Sequence, residues 1–167
     1  MTTLTETPVQ SFAAAPGQSF VLLRLGERRF ALPASQVAEL VAPSRIFRFP
    51  HKTSELDGVI LRRGRMIAVC DIAELLTGKK LDTRRFYLLA TRKYENQLDW
   101  IAIPVSGECE LINVEIMDAS ANDSPHVDGW LSFGGEVIEV LRLSALTPGP
   151  AEKSLPAPLR DFAEARS

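Results

Sequence analysis

The sequence predicts an all-β protein of the small-barrel kind. Two observations carry this. Short runs rich in Val, Ile, Leu and Phe follow one another at close spacing, each bounded by Gly, Pro, Asn or Asp. Two pairs of these runs are joined through glycine turns, Arg63-Gly64 and Gly134-Gly135, which is the sequence form of a β-hairpin. No internal repeat at a solenoid period competes with this reading.

Taken in order, Phe20 to Leu25 is the first strand, Gly26-Glu27 its turn, and Arg29 to Leu32 the return strand. Pro33 fits the first turn of a short helix, "PASQVAEL", which would turn Val37 and Leu40 inward and Gln36 and Glu39 outward. "IFRF" (46–49) alternates and is closed by Pro50. Gly58 to Arg62 and Met66 to Cys70 form the clearest hairpin. Asp71 then stands at a helix start, and "IAELL" ends at Thr77-Gly78, a natural C-cap. Strands are expected at 84–93 and 98–105 around a turn at Glu95-Asn96. Further β segments fall near 109–116, 129–133 and 136–141, and one helical turn at 141–146.

The chain of 167 residues is 46% hydrophobic, enough for one domain with a real core. Residues 1–18 are rich in Thr, Ala and Pro without periodicity and read as a flexible tail. The folded domain is expected over 19–147. Residues 148–167 read as a Pro-rich linker followed by a weak C-terminal helix, "LRDFAEAR". No apolar run approaches the roughly 18 residues that cross a bilayer, and the N-terminus lacks the basic and apolar regions of a signal peptide. The expectation is a cytoplasmic protein with no membrane insertion.

Charge is uneven. Residues 19–97 hold fifteen Lys/Arg against eight Asp/Glu, and residues 98–167 hold four against twelve. Such a chain is dipolar and suited to complementary partners at opposite poles, unless the two solvated faces differ by chance. The basic half raises the alternative of a nucleic-acid-binding small β-barrel, with Phe47, Phe49, Phe86 and Tyr87 interleaved among arginines. The same aromatics fit core packing, and the acidic C-terminal half would repel a phosphate backbone.

Nothing in the sequence asks for catalysis. Arg62-Arg63-Gly64-Arg65 is followed by a strand, whereas a phosphate loop needs several glycines and a helix. His51 and His126 lie in loop-like stretches without a nucleophile pattern, and no Gly-x-Ser-x-Gly elbow is present. Cys70 and Cys109 have no metal-ligand spacing, and Cys70 reads as a small buried hydrophobe. Asp118 to Gly129 lacks the glycine and glutamate of a calcium loop. No cofactor and no metal is expected.

Three motifs in order resemble the CheW-like domain, the coupling module of bacterial chemosensory arrays. "RRFALPASQVAELV" resembles its first hairpin and the Val-x-Glu segment that follows, here Val37-Ala38-Glu39-Leu40. "GVILRRGRMIAVCDIAELL" resembles its glycine-led strand, Arg-Gly turn, apolar strand, Asp and short helix. "GGEVIEVLRLSAL" resembles its closing strand and helix. The resemblance covers about residues 19–147.

It implies two SH3-like β-barrels packed side by side, each on a five-stranded sheet, with a few short helices. It also implies a non-enzymatic adaptor that binds the regulatory domain of a CheA-type histidine kinase and the cytoplasmic tip of a chemoreceptor. Such a protein would be recruited to membrane-associated arrays. Carried over residue by residue, Val37, Glu39 and Arg63 fall on the receptor side, and Gly58 lies near partner surfaces.

Read from the residues alone, Val37 also fits the core, Gly58 fits backbone geometry, and Glu39 and Arg63 fit an ion pair with each other. The chain departs from the family pattern at Leu61-Arg62, where Asn-Leu is usual, at Ala68 for a common proline, and at Pro104 for a usual aspartate. These departures fit a divergent array, such as one governing type IV pilus motility. Arg62 adds a charge that bears on the choice of kinase or other partner.

Overall fold

The computed structural model describes residues 17–48, 56–94, 96–118 and 124–146. Residues 1–16 of the expected tail, Pro50, His51, part of the loop after Asp118, the Pro-rich linker and the terminal helix lie outside them. Among the described residues eleven strands form two sheets, with two short α-helices. The strands are β1 (Gln18–Leu25), β2 (Arg28–Pro33), β3 (Val37–Val41), β4 (Leu56–Arg62), β5 (Arg65–Cys70), β6 (Phe86–Tyr94), β7 (Gln97–Val105), β8 (Glu110–Val114), β9 (Met117–Asp118), β10 (Val127–Phe133) and β11 (Glu136–Leu141). The helices are α1 (Ala73–Thr77) and α2 (Leu143–Leu146).

One sheet runs β8-β1-β2-β11-β10-β9 and the other β3-β6-β7-β5-β4. The all-β architecture of two SH3-like units is as the sequence implies. One sheet carries a sixth strand because the two-residue β9 pairs Met117 with Trp130 and Asp118 with Gly129. The first sheet draws on both ends of the described chain, and the second is inserted between them.

The two units repeat each other. Hairpin β4–β5 and hairpin β10–β11 bury the same positions in the same order. Both carry a register shift after their first residue, at Leu56/Gly58 and at Val127/Gly129. Each closes its sheet by a parallel pairing, β5 on β7 and β11 on β2. Each is followed by a short helix. Val59 is bridged by Phe47 as Trp130 is bridged by Met117.

Two cores fill the barrels and a third lies between them. Phe20, Leu22, Ala31, Ile112, Leu131, Ile138 and Val140 fill the first barrel. Val41, Ile60, Ile67, Val69, Tyr87, Leu89 and Ala102 fill the second. Leu23, Leu25, Phe30 and Leu32 from one sheet meet Leu88, Ala90, Ile101 and Ile103 from the other, joined by Cys70 and Leu143. Alternation explains this layout: β1 and β6 send successive side chains into a barrel or into the seam. Burying each large side chain stabilises by about 2–3 kcal/mol before chain entropy is counted.

One local expectation is overturned. Pro33–Leu40 is not a helix. Ala34–Gln36 makes a single 3-10 turn, closed by the Val37 N–H on the Ala34 carbonyl, and Val37–Val41 continues as β3 against β6. The β-branched Val37 and Val41 favour the strand, and β6 supplies the hydrogen bonds. Leu40 is therefore exposed and Glu39 half-buried, the reverse of the helical assignment. The start and stop signals of α1 hold. The Asp71 carboxylate accepts the Ala73 N–H at 3.0 Å, and Gly78, at φ 81°, donates its N–H to Glu74.

Candidate functional site

β3 and β4 are the two edge strands of the five-stranded sheet. Curling of the sheet brings them together, and their side chains meet at one mouth of the second barrel. Arg62 and Arg65 face each other across the hairpin, on the same side as the core pair Ile60 and Ile67. They cap that core. Arg62 reaches across to β3 and ion-pairs with Glu39, while the Arg65 guanidinium lies 4.7 Å from the centre of the Trp100 ring.

Arg63 and Gly64 form the turn. Both have positive φ, 52° and 76°. A two-residue hairpin with both central residues in the left-handed region matches the strand twist, which is why the tip is well formed. Among the described residues Arg63 is the one non-glycine with positive φ. Its side chain is 76% exposed, and its guanidinium lies 3.6 Å from Glu39. Glu39 thus sits between two arginines. The Arg62 hydrogen bond first, and the charges of Arg62 and Arg63 after it, hold its carboxyl below the usual carboxylate range against the opposing effect of desolvation.

The structure brings Glu39, Arg62 and Arg63 into one cluster. Val37, two residues earlier on β3, is half-buried against the core between the barrels. Gly58 is buried at the β4 register shift. A Cβ there would lie 2.4 Å from the Phe47 carbonyl oxygen and 2.8 Å from Ile46, so only glycine admits the Phe47 segment, which exchanges two hydrogen bonds with Val59 at 2.8 and 2.9 Å. Gly58 therefore shapes this surface from beneath.

Sequence reading missed three features. Leu61 and Met66 are cross-strand partners next to the arginines and are 54% and 67% exposed. With Phe47, itself under Arg45 at 5.0 Å, they leave an apolar strip on the outside of the hairpin. Fixing the register from the Arg63-Gly64 turn would have paired Leu61 with Met66. The Arg65–Trp100 stack joins strands far apart in sequence and left no local signal. Nor did the third feature, Arg84, which is held by Asp57 and, at 2.7 Å, by Asp71.

These pairings bear on the charge of the basic half. Arg62, Arg84 and Arg92 are all held by carboxylates within the fold. Tyr87 is buried and Phe86 half-buried against the core. Among the described residues only Phe47 of the four aromatics weighed for base stacking is exposed, and a single-stranded nucleic-acid reader stacks successive bases on several. Among the described residues no cluster of His, Cys, Asp and Glu could hold a metal ion, and no helix is long and apolar enough to cross a membrane.

The geometry defines a class: a double SH3-like barrel with a charged, partly apolar face at the mouth of the second barrel. Residues 19–98 match the family model described as the CheW-like domain. The match spans β1 to the start of β7, and the remaining strands complete the first barrel. The crystal structure of the scaffolding protein TtCheW from Thermoanaerobacter tengcongensis is similar, with a TM-score of 0.67 at 20% identity over 80% of this chain and 90% of that one. No curated protein matches the sequence. Residues 19–98 are thus similar to the CheW-like domain, and the fold is that of the scaffolding protein TtCheW.

Proposed function

We propose that the protein couples chemoreceptors to a CheA-type histidine kinase in a chemosensory array. The observation that supports this best is the cluster of Glu39, Arg62 and Arg63 at the mouth of the second barrel, next to the exposed Leu61 and Met66. Val37, Glu39 and Arg63 are the receptor-side residues of this reading. Val37 sets how β3 seats against the barrel seam, and Glu39 and Arg63 present charge. Arg62 and the surface shaped by Gly58 serve the kinase or another partner. An apolar strip with a charged rim is the anatomy of a modest, reversible interface of about 1,200 Å² or less in total.

The test is reconstitution. The purified chain is combined with the kinase and a receptor cytoplasmic fragment encoded by the same organism, and kinase autophosphorylation is followed. Receptor-dependent change in that rate only when this chain is present supports the reading. A rate indifferent to the chain overturns it.

A further inference from the structure

The two barrel mouths occupy equivalent positions in the repeat but carry opposite charge. In the second barrel the mouth holds Arg62, Arg63 and Arg65 against Glu39. Following the strand pairings, Glu110 stands where Glu39 does, Phe133 where Arg62 does, Glu136 where Arg65 does, and Arg29 where Trp100 does. There Arg29 pairs with Glu136 and lies 6.0 Å from the Phe133 ring. The first mouth is thus net acidic and the second net basic.

Arg62 controls how the second mouth presents itself. Its side chain is 37% exposed and that of Glu39 27%, so the pair is sheltered, whereas Arg63 is mostly in solvent and keeps only a 3.6 Å contact. Without Arg62, the Glu39 carboxylate would lose its nearer partner and would draw the Arg63 guanidinium back onto itself. With Arg62 in place Glu39 is already neutralised, and Arg63 is left to project from the turn. Arg65 is held over Trp100 and makes no ion pair among the described residues.

We infer that Arg62 is a specificity-determining residue. By holding Glu39 within the chain, it makes the second barrel mouth a cationic face that accepts a partner segment bearing carboxylates and rejects one bearing lysine or arginine. The selectivity arises from desolvating like charges at a face where, among the described residues, Glu39 is the carboxylate and is already paired, more than from the gain of any one pair. This inference rests on the coupling function proposed above and takes the partner served by Arg62 to be the receptor tip, because Arg62 pairs with Glu39 on the receptor side of that reading.

The experiment uses the full chain, its Arg62→Leu and Arg62→Gln variants, and a receptor cytoplasmic fragment from the same organism. Each acidic residue at the fragment's tip is replaced singly by lysine. For the native chain at least one replacement should weaken binding about fivefold or more, the scale of a single ion pair of about 1 kcal/mol. Both Arg62 variants should flatten that ratio toward one, because the mouth loses one cation and Arg63 is drawn back onto Glu39, so less uncompensated positive charge faces the introduced lysine. Carboxyl NMR of Glu39 supplies the second reading: its titration midpoint should rise in both variants. An unchanged ratio with binding intact, or a Glu39 midpoint that does not respond to Arg62, overturns the selectivity while leaving the coupling role in place. Binding of no receptor fragment overturns the coupling role and the selectivity with it. If a phosphate-backbone probe, single-stranded DNA, binds the native chain and loses that binding on Arg62 replacement, the partner class is wrong.

Discussion

Replacing Gly58 with alanine tests the central local argument, that the second barrel wall depends on a backbone approach only glycine allows. An added Cβ would lie 2.4 Å from the Phe47 carbonyl oxygen, 2.8 Å from Ile46 Cγ2 and 3.0 Å from Arg48 Cα. Two of these three neighbours are backbone atoms, so a flexible side chain cannot absorb the clash. The Phe47 segment must move away, breaking its two hydrogen bonds with Val59. Each bond contributes about 1 kcal/mol net, and the positive φ of 152° adds about 1 kcal/mol of backbone strain, giving a loss of about 3 kcal/mol. Gly26→Ala is the control. Gly26 has φ 68° and no atom within 4 Å of an added Cβ, so it reports backbone strain alone, about 1–2 kcal/mol. Gly129→Ala should resemble Gly58→Ala, since its Cβ would lie 2.5 Å from the Met117 carbonyl oxygen. Urea unfolding followed by tryptophan fluorescence measures all three. If Gly58→Ala costs no more than Gly26→Ala, the close-approach argument is wrong.

Three further outcomes are expected. Because the Glu39 carboxyl is held below its ordinary value of 4.5 in the folded state, the stability it contributes is present at neutral pH and is lost as pH falls below about 4.5. The stability difference between native chain and Glu39→Gln should therefore shrink across that acid range, and a difference independent of pH would show that the ion pair has no energetic role. Removing Asp99 by alanine leaves the buried Arg92 without its main carboxylate, and urea unfolding should show a loss of about 3–5 kcal/mol; a loss under 1 kcal/mol contradicts it. Desolvation pushes the Cys109 thiol up to about 11, and Cys70 is buried, so both should react with Ellman's reagent at pH 8 far more slowly in the folded chain than after denaturation. Reaction of either thiol at the denatured rate would refute its placement.

The strands were legible where a turn announced them. Arg63-Gly64 and Gly134-Gly135 mark hairpins by chemistry that any barrel would need, and β5 and β11 follow from alternation beside them. The stretch from Pro33 to Leu40 misled because proline, small residues and a spaced Val and Leu fit a helix locally. Pairing with β6, some fifty residues away, decides for the strand. The repeat of the two barrels was hidden because the identities that survive in the hairpins, Asp57-Gly58 with Asp128-Gly129, Gly64 with Gly135, and Ile67 and Val69 with Ile138 and Val140, are scattered among common residue types, while burial is kept position by position.

The site was half legible. Glu39 and Arg63 were readable as a pair on grounds of charge, but the stronger partner of Glu39 is Arg62. That exchange depends on side-chain parity in the hairpin: Arg62 shares the inward face of Ile60, while Arg63 sits in the turn and points out. Gly58 carries a reason that no local pattern reveals, because the Phe47 segment that crosses it is separated from it by sequence with no regular pairing of its own.

The coupling role stands or falls on a calorimetric titration of the full chain against the isolated regulatory domain of the CheA-type kinase from the same organism. One-to-one binding is expected, with a Kd in the micromolar range, about −8 kcal/mol, weakened by Leu61→Asp on the exposed strip with the fold intact by circular dichroism. Absence of binding to every such kinase domain, in a chain shown to be folded, would contradict it.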